Sequence, residues 1–273
     1  MRIDAHQHFW RLERDDYGWL TPELTKLYKN FEPSDLAPLL KQHKIDGTVL
    51  VQAAPTDAET DFLLQLSEQN DSIKGVVGWV DFNNLEASKR IIKLATHPKL
   101  VGLRPMIQDI EDIDWMLRPN VATALQTMSK TGLVFDALVM PKHLKNLKQV
   151  IKQNPDLSIV INHAAKPNIK DQEFAQWHSD ISTFREHQQV SCKLSGLVTE
   201  AKGDWQTKDL YPYIDTLFEV FGDQRILWGS DWPVCLLASS YEKWFNLIEL
   251  YLEKKQQSTD AIFGGNAIKT YGL

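Results

Sequence analysis

The sequence predicts an α/β protein built as a single (β/α)8 barrel domain over residues 1–273, and three observations carry that reading. Short apolar runs alternate strictly with longer amphipathic stretches along the whole chain, there are eight such runs, and the runs are apolar on both faces. That pattern belongs to a parallel sheet covered by helices, and 273 residues sits near the ~250 typical of a one-domain barrel. A doubly wound open sheet is the alternative architecture for the same alternation.

The predicted strands are RIDAH (2–6), GTVLVQ (47–52), KGVVGWV (74–80), LVGLRP (100–105), GLVFDALV (132–139), SIVINH (158–163), VSCKLSG (190–196) and RILWGSD (225–231). Each is bounded by turn residues and has the length of a buried strand. Helix signals fall between them. Thr56 and Glu59 form a capping-box pattern ahead of Phe62, Leu63 and Leu66. Pro119 and Pro141 sit where a first helical turn tolerates proline, and Leu144, Leu147 and Ile151 then repeat at helical spacing. Ser239 and Glu242 form another capping box, after which Tyr241, Trp244, Phe245, Ile248 and Leu252 line one helix face.

Composition narrows the class. With 30 basic and 36 acidic residues the net charge is -6, and no long like-sign run offers a footprint for nucleic acid or an anionic membrane, so neither partner is expected. The 2 cysteines, Cys192 and Cys235, are too few for a disulfide framework and read as buried thiols in a reducing compartment, for which the cytoplasm fits. The N-terminus shows no basic segment leading into a hydrophobic one, and no run approaches the ~20 apolar residues of a membrane span. The sequence leaves a homo-oligomer open.

In such a barrel the chemistry sits at the C-terminal ends of the strands, and reactive residues cluster there. His6 and His8, two apart at the end of the first strand, are expected on one face, where two imidazoles can meet one cation. His163 ends strand six in INHAAKP, Asp231 ends strand eight in WGSDWP, and barrel closure makes strand eight the neighbour of strand one. Three imidazoles and a carboxylate then converge on one mouth. The set suits one divalent ion, zinc first, or manganese with more oxygen from water. The serine-esterase elbow GxSxG, the zincin HExxH, the Walker A loop and GxGxxG are all missing. His43, His97, His143, His178 and His187 fall in or beside predicted helices and are expected to be solvated.

MRIDAHQHFW, GTVLVQAAP, VGLRPMIQD, GLVFDALV, NHAAKP, CKLSGL, WGSDWPVC and IFGGNAIKTYGL, in this order through the chain, resemble the amidohydrolase-related family of sugar-lactone hydrolases, a branch of the amidohydrolase superfamily. The resemblance implies a (β/α)8 barrel that opens the ring of an L-fucono- or L-rhamnono-lactone. It carries onto His6, His8, His163 and Asp231 the family's metal positions, and onto Asp231 and His163 its catalytic ones. Strand four ends here in Arg104, and strand five carries Asp136 with no histidine, so the superfamily's two-metal centre lacks its residues. The motif HAAKP has Ala165 where HxGKP is usual, a change that matters only if the backbone there is tight.

For a lactone, Asp231 is the natural base, taking a proton from the attacking water and returning it to the departing ring oxygen. Asp4, two residues before His6, is placed to orient the site from below. Arg104, Gln52, Gln108 and Lys166 are candidates for substrate contact, with Lys193 a weaker one. The segment FWRLERDDYGWLTPEL is long for a strand–helix loop, and Trp10, Tyr17 and Trp19 within it can stack on a sugar face or pack the loop down, with Trp10 expected to face the pocket. The same four residues also serve a metal-free route in which a protonated histidine pair stabilises the oxyanion. Two rivals share the barrel: a metal-dependent decarboxylase and a non-catalytic sugar-binding protein.

Overall fold

The computed structural model describes residues 1–273. Eight parallel strands run in sequence order, each paired with the next: β1 Ile3–Gln7, β2 Gly47–Val51, β3 Ile73–Gly78, β4 Leu100–Leu103, β5 Val134–Ala137, β6 Ile159–Ile161, β7 Val190–Leu194 and β8 Ile226–Trp228. All eight fall on the apolar runs read from the sequence. The ring closes through the residues just past β8: Asp231 N–H donates to His6 O at 2.8 Å and His8 N–H to Trp232 O at 2.7 Å. Closure therefore happens at the strand ends that carry the reactive residues.

Helices α1 Pro33–Gln42, α2 Asp57–Glu68, α3 Ala87–Leu94, α4 Pro119–Thr131, α5 Leu144–Gln153, α6 Phe174–Ser182, α7 Thr207–Phe221 and α8 Tyr241–Lys255 wrap the sheet, and α9 Asn266–Tyr271 ends the chain. None is long and apolar enough to cross a membrane. Thr56 caps α2 by accepting the Glu59 N–H at 3.0 Å, but the Glu59 carboxylate turns elsewhere instead of closing the box. The cap of α8 is Ser240, accepting from Lys243 N at 3.0 Å, one residue beyond the expected Ser239. Adjacent serines offer the same hydroxyl, and the helix start decides between them.

The main core lies between sheet and helices, where Trp177, Trp228, Trp244 and Phe263 are wholly buried. A smaller cluster gathers Ile3, Val49, Val77, Val101, Val134 and Val160 from successive strands with Ala267 and Tyr271 of α9, so the final helix closes the barrel's lower end. Polar groups interrupt this inner layer. Lys193 Nζ lies 3.0 Å from Asp136 Oδ2, Tyr271 OH donates to Asp136 Oδ1 at 2.8 Å, and neither member of the ion pair reaches solvent.

Two expectations about side chains fail here. His143 is wholly buried and His43 nearly so, rather than solvated. His143 Nδ1 accepts the Met140 N–H at 3.0 Å ahead of α5, and the His43 ring packs 4.5 Å from that of Phe245, so both are held by local partners that helical periodicity does not reveal. Asp4 also departs from simple alternation, because the pairing of β1 with β2 shifts register between Asp4 and Gln7. Its Oδ1 accepts N–H groups from Ser230 at 2.9 Å and His6 at 3.2 Å, and it neighbours Tyr241 of α8. Asp4 ties the β1 and β8 backbones together and leaves the imidazoles to other partners.

Candidate active site

The C-terminal mouth of the barrel brings His6, His8, His163 and Asp231 together. Asp231 Oδ1 faces all three imidazoles, at 3.3 Å from His8 Nε2, 3.6 Å from His6 Nε2 and 3.9 Å from His163 Nε2. The His6 and His8 Nε2 atoms are 3.2 Å apart. One nitrogen or oxygen each from His6, His163 and Asp231 falls within 4.8 Å of the others. All four residues are 5 % exposed or less.

Local hydrogen bonds hold two of the three rings, and His6 Nδ1 is buried without a partner. His8 Nδ1 lies 2.8 Å from Val51 O; a carbonyl only accepts, so Nδ1 carries the hydrogen and the neutral ring turns a bare Nε2 into the mouth. His163 Nδ1 pairs with Ser195 Oγ at 2.9 Å. Two glycines make room. A Cβ on Gly229 would come within 2.6 Å of His6 Cβ, and one on Gly196, whose φ is +68°, within 2.5 Å of His163 Nδ1. His163 also opens a run of four left-handed residues, with φ of 51° at His163, 53° at Ala164, 59° at Ala165 and 51° at Lys166. At roughly 1–2 kcal/mol per residue this turn stores several kcal/mol, concentrated where His163 and Lys166 must both reach the pocket. The backbone at Ala165 is thus the tight one in which glycine would be at ease.

Burial governs the charges. It pushes His163 down to about 3 and holds His6 and His8 below their ordinary value, with Lys193 adding to the effect at His6, so the rings are neutral donors. Burial works to raise Asp231, but the His163 and His8 rings beside it outweigh this and hold the carboxyl below its ordinary value. With its hydrogen on Nδ1, His8 turns a bare Nε2 to the Asp231 carboxylate oxygen at 3.3 Å, an arrangement that repels unless a cation sits between them, and His6 Nε2 stands 3.2 Å from the same nitrogen. Bonds of ~2.0–2.1 Å at the tetrahedral angle separate donors by ~3.3 Å, a spacing met by the His6, His8 and Asp231 atoms at 3.2–3.6 Å, with His163 farther off at 3.9 Å from Asp231 Oδ1, so the residues present fit a single divalent ion.

Arg104, just past β4, brings a permanent positive charge to the opposite side. Its Nη1 lies 3.5 Å from His6 Nε2, its Nη2 donates to Gln52 O, and burial lowers it to about 10. A pocket of about 180 Å³ opens above the cluster, floored by His8, His163 and Asp231, with Arg104, Gln108 and Lys166 on its polar wall. Lys166 is steadied by Glu200 at 2.8 Å. Such a volume lies below the ~300–1,000 Å³ clefts of drug-sized ligands and suits one small ring. A larger hollow of about 540 Å³ between Ile169 and Tyr213 has none of the four residues in its lining.

Three sequence-predicted contacts lie behind the pocket wall. Trp10 is wholly buried, its Nε1 donating to Lys29 O at 2.8 Å and its ring packed on Phe31 and Trp19. Gln52 donates to Arg104 O at 2.7 Å and so braces the arginine, and Lys193 belongs to the buried pair with Asp136. The indole that does line the pocket is Trp19, whose Nε1 donates to Ala53 O at 2.7 Å. Ser195 and Gly196 are not singled out by the sequence reading. Their only signal is a small-residue pair at the end of a strand neighbouring that of His163.

The chain is similar to known proteins along its whole length. The family model described as Amidohydrolase matches residues 3–273. An L-fucono-1,5-lactonase of Burkholderia ambifaria is 40% identical over 100% of this chain and 96% of its own, and an L-fucono-1,5-lactonase of Burkholderia multivorans is 32% identical over the same shares. A crystal structure of an amidohydrolase from Burkholderia multivorans with bound zinc superposes with a TM-score of 0.94 at 33% identity, covering 100% of this chain and 99% of that one.

Proposed function

The chain belongs to the amidohydrolase family, and from that premise we propose that it hydrolyses the ring ester of a sugar lactone, an L-fucono-1,5-lactone or a close 6-deoxy relative. The observation that carries the reading is the floor of the pocket, where three neutral imidazoles and one ionised carboxylate meet beneath a space sized for a single ring. The full-length similarity to two lactonases supports lactone hydrolysis over the decarboxylase and binding-protein alternatives.

His6, His8, His163 and Asp231 would hold the cation, and three nitrogens with one oxygen favour zinc over manganese. When bound, a divalent ion supplies a Lewis acid beside the lactone carbonyl and lowers the pKa of water. Asp231 turns Oδ1 to the imidazoles, which leaves Oδ2 to take the proton of the attacking water. The same carboxyl then returns that proton to the ring oxygen as the C–O bond breaks, giving the open hydroxy acid. The Arg104 guanidinium and the Gln108 and Lys166 side chains, which line the pocket, would hold the hydroxyls and the carbonyl. His163 needs Ser195 to keep its ring aimed. Burial that keeps the rings neutral disfavours the metal-free route, which needs an imidazolium.

Both cysteines are buried and unpaired, which fits a reducing compartment such as the cytoplasm. The test of the function is a panel of aldonolactones with a pH indicator, since each ring opening at neutral pH releases a proton. L-Fucono-1,5-lactone should give release well above its spontaneous rate. No enzymatic release from any lactone would refute the reading.

A further inference from the structure

We propose that Glu59 is a positioning residue that fixes Trp19 as the partition between the lactone pocket and the larger cavity beside it. This rests on the lactonase reading for its substrate, and on geometry alone for the wall.

Glu59 lies in the first turn of α2, is wholly buried, and has no hydrogen bond or ion pair to the four cluster residues. Its Oε1 accepts the Ala53 N–H at 3.0 Å, and its Oε2 accepts the Tyr17 hydroxyl at 2.8 Å. Arg14 Nη2 stands 3.5 Å from Oε2 and 2.7 Å from Asp16 Oδ2, which also accepts from Thr56 Oγ1 at 2.8 Å. Glu59 thus clamps the loop after β1 to the loop after β2. Trp19 closes the circuit, because its Nε1 donates to the carbonyl of the same Ala53 whose N–H Glu59 holds.

Trp19 and Ala53 both line the 180 Å³ pocket. Trp19, with Met106 and Asp109, also lines an adjoining cavity of about 560 Å³ that runs past Trp79 and Phe82. With the indole in place, the small pocket is a separate compartment matched to one ring. With it released, the two spaces join and a small lactone loses a wall. Burial makes a carboxylate expensive at this point, pushing Glu59 up to about 7. Two hydrogen-bond donors, the Ala53 N–H and the Tyr17 hydroxyl, and the nearby Arg14 offset that cost, so the carboxyl serves to position the two loops.

The test compares Glu59→Ala, Glu59→Gln, Tyr17→Phe and Trp19→Phe for L-fucono-1,5-lactone kinetics, zinc content and amide hydrogen exchange. Glu59→Ala and Trp19→Phe should raise KM about tenfold with kcat within about twofold, the scale of one lost buried hydrogen bond. Glu59→Gln, which keeps an acceptor for Ala53, should recover most of the KM. Exchange should quicken at residues 15–20 and 53–56 while zinc content stays at the wild-type level. Unchanged KM and exchange in the folded variants would overturn the proposal, as would a fall in kcat that follows loss of zinc. If Glu59→Ala does not fold, Tyr17→Phe and Trp19→Phe each cut one leg of the circuit and decide it. Wild-type protein that opens no lactone refutes the function instead, and the exchange data still judge the wall.

Discussion

Replacing Gly196 by alanine should disable the site without touching any residue that bears its chemistry. A Cβ there would stand 2.5 Å from His163 Nδ1 and 2.7 Å from His163 Cγ, so the ring must retreat by about 0.9 Å to reach the 3.4 Å of ordinary contact. That movement breaks the 2.9 Å bond to Ser195 Oγ and exceeds the ~0.2 Å tolerance of a metal–nitrogen bond. The backbone adds its own penalty of about 1 kcal/mol, because φ is +68° at this position. Overpacking contributes a further ~1–3 kcal/mol, giving a total of about 2–4 kcal/mol of lost stability. A misplacement near 1 Å costs about 10²-fold or more in turnover. Zinc affinity by chelator competition, kcat/KM on the lactone and a thermal melt would be measured on one preparation. Wild-type zinc affinity together with kcat/KM within threefold would refute the claim that Gly196 seats His163.

Asp136→Asn leaves Lys193 charged in a site closed to water, so it should cost about 3–5 kcal/mol by denaturant melt, and Asp136→Asn with Lys193→Met should recover most of that. An Asp136→Asn loss under 1 kcal/mol would contradict the buried-pair account. Because burial lowers the imidazole pKa values, protons displace the cation only below the ordinary histidine range. For protein loaded with zinc, release on acidification, followed with a chromophoric indicator, should have its midpoint below pH 6.5, the ordinary histidine value, and a midpoint above it would count against neutral buried ligands. Ala165→Gly relieves ~1–2 kcal/mol of left-handed strain at φ +59° but loses a buried methyl worth ~0.8 kcal/mol and gains freedom in the unfolded chain worth ~0.4–1 kcal/mol. Stability should stay within about 1 kcal/mol of wild type with activity kept; a loss above 2 kcal/mol would show that the methyl outweighs the strain.

The barrel was legible because a buried parallel strand must be apolar on both faces, and runs such as GTVLVQ and SIVINH can serve little else. His6, His8, His163 and Asp231 were legible for a related reason: strand ends are fixed by those runs, and the fold puts strand ends at one mouth. What lay beyond reach was decided by partners distant in sequence. Glu59 reads as the end of a capping box, and nothing local says that its carboxylate serves Ala53 and Tyr17. Trp10 and Trp19 are equivalent in composition, and only the packing of the loop on Phe31 buries the first and leaves the second on the pocket. Asp4 fell to the register shift in β1, which alternation cannot foresee. The left-handed turn at 163–166 left a trace only through the resemblance, as an alanine where glycine is usual.

The central claim is that the cluster beneath the pocket opens a lactone with Asp231 handling the proton, and Asp231→Asn tests it most directly. Purified wild-type and variant proteins of known zinc content would be compared on L-fucono-1,5-lactone by proton release, alongside calorimetric binding of the product acid. The account predicts wild-type turnover well above the spontaneous rate, a fall of about 10³-fold or more in the variant, and product affinity within a few-fold of wild type. Equal turnover by the two proteins at equal zinc content would contradict it.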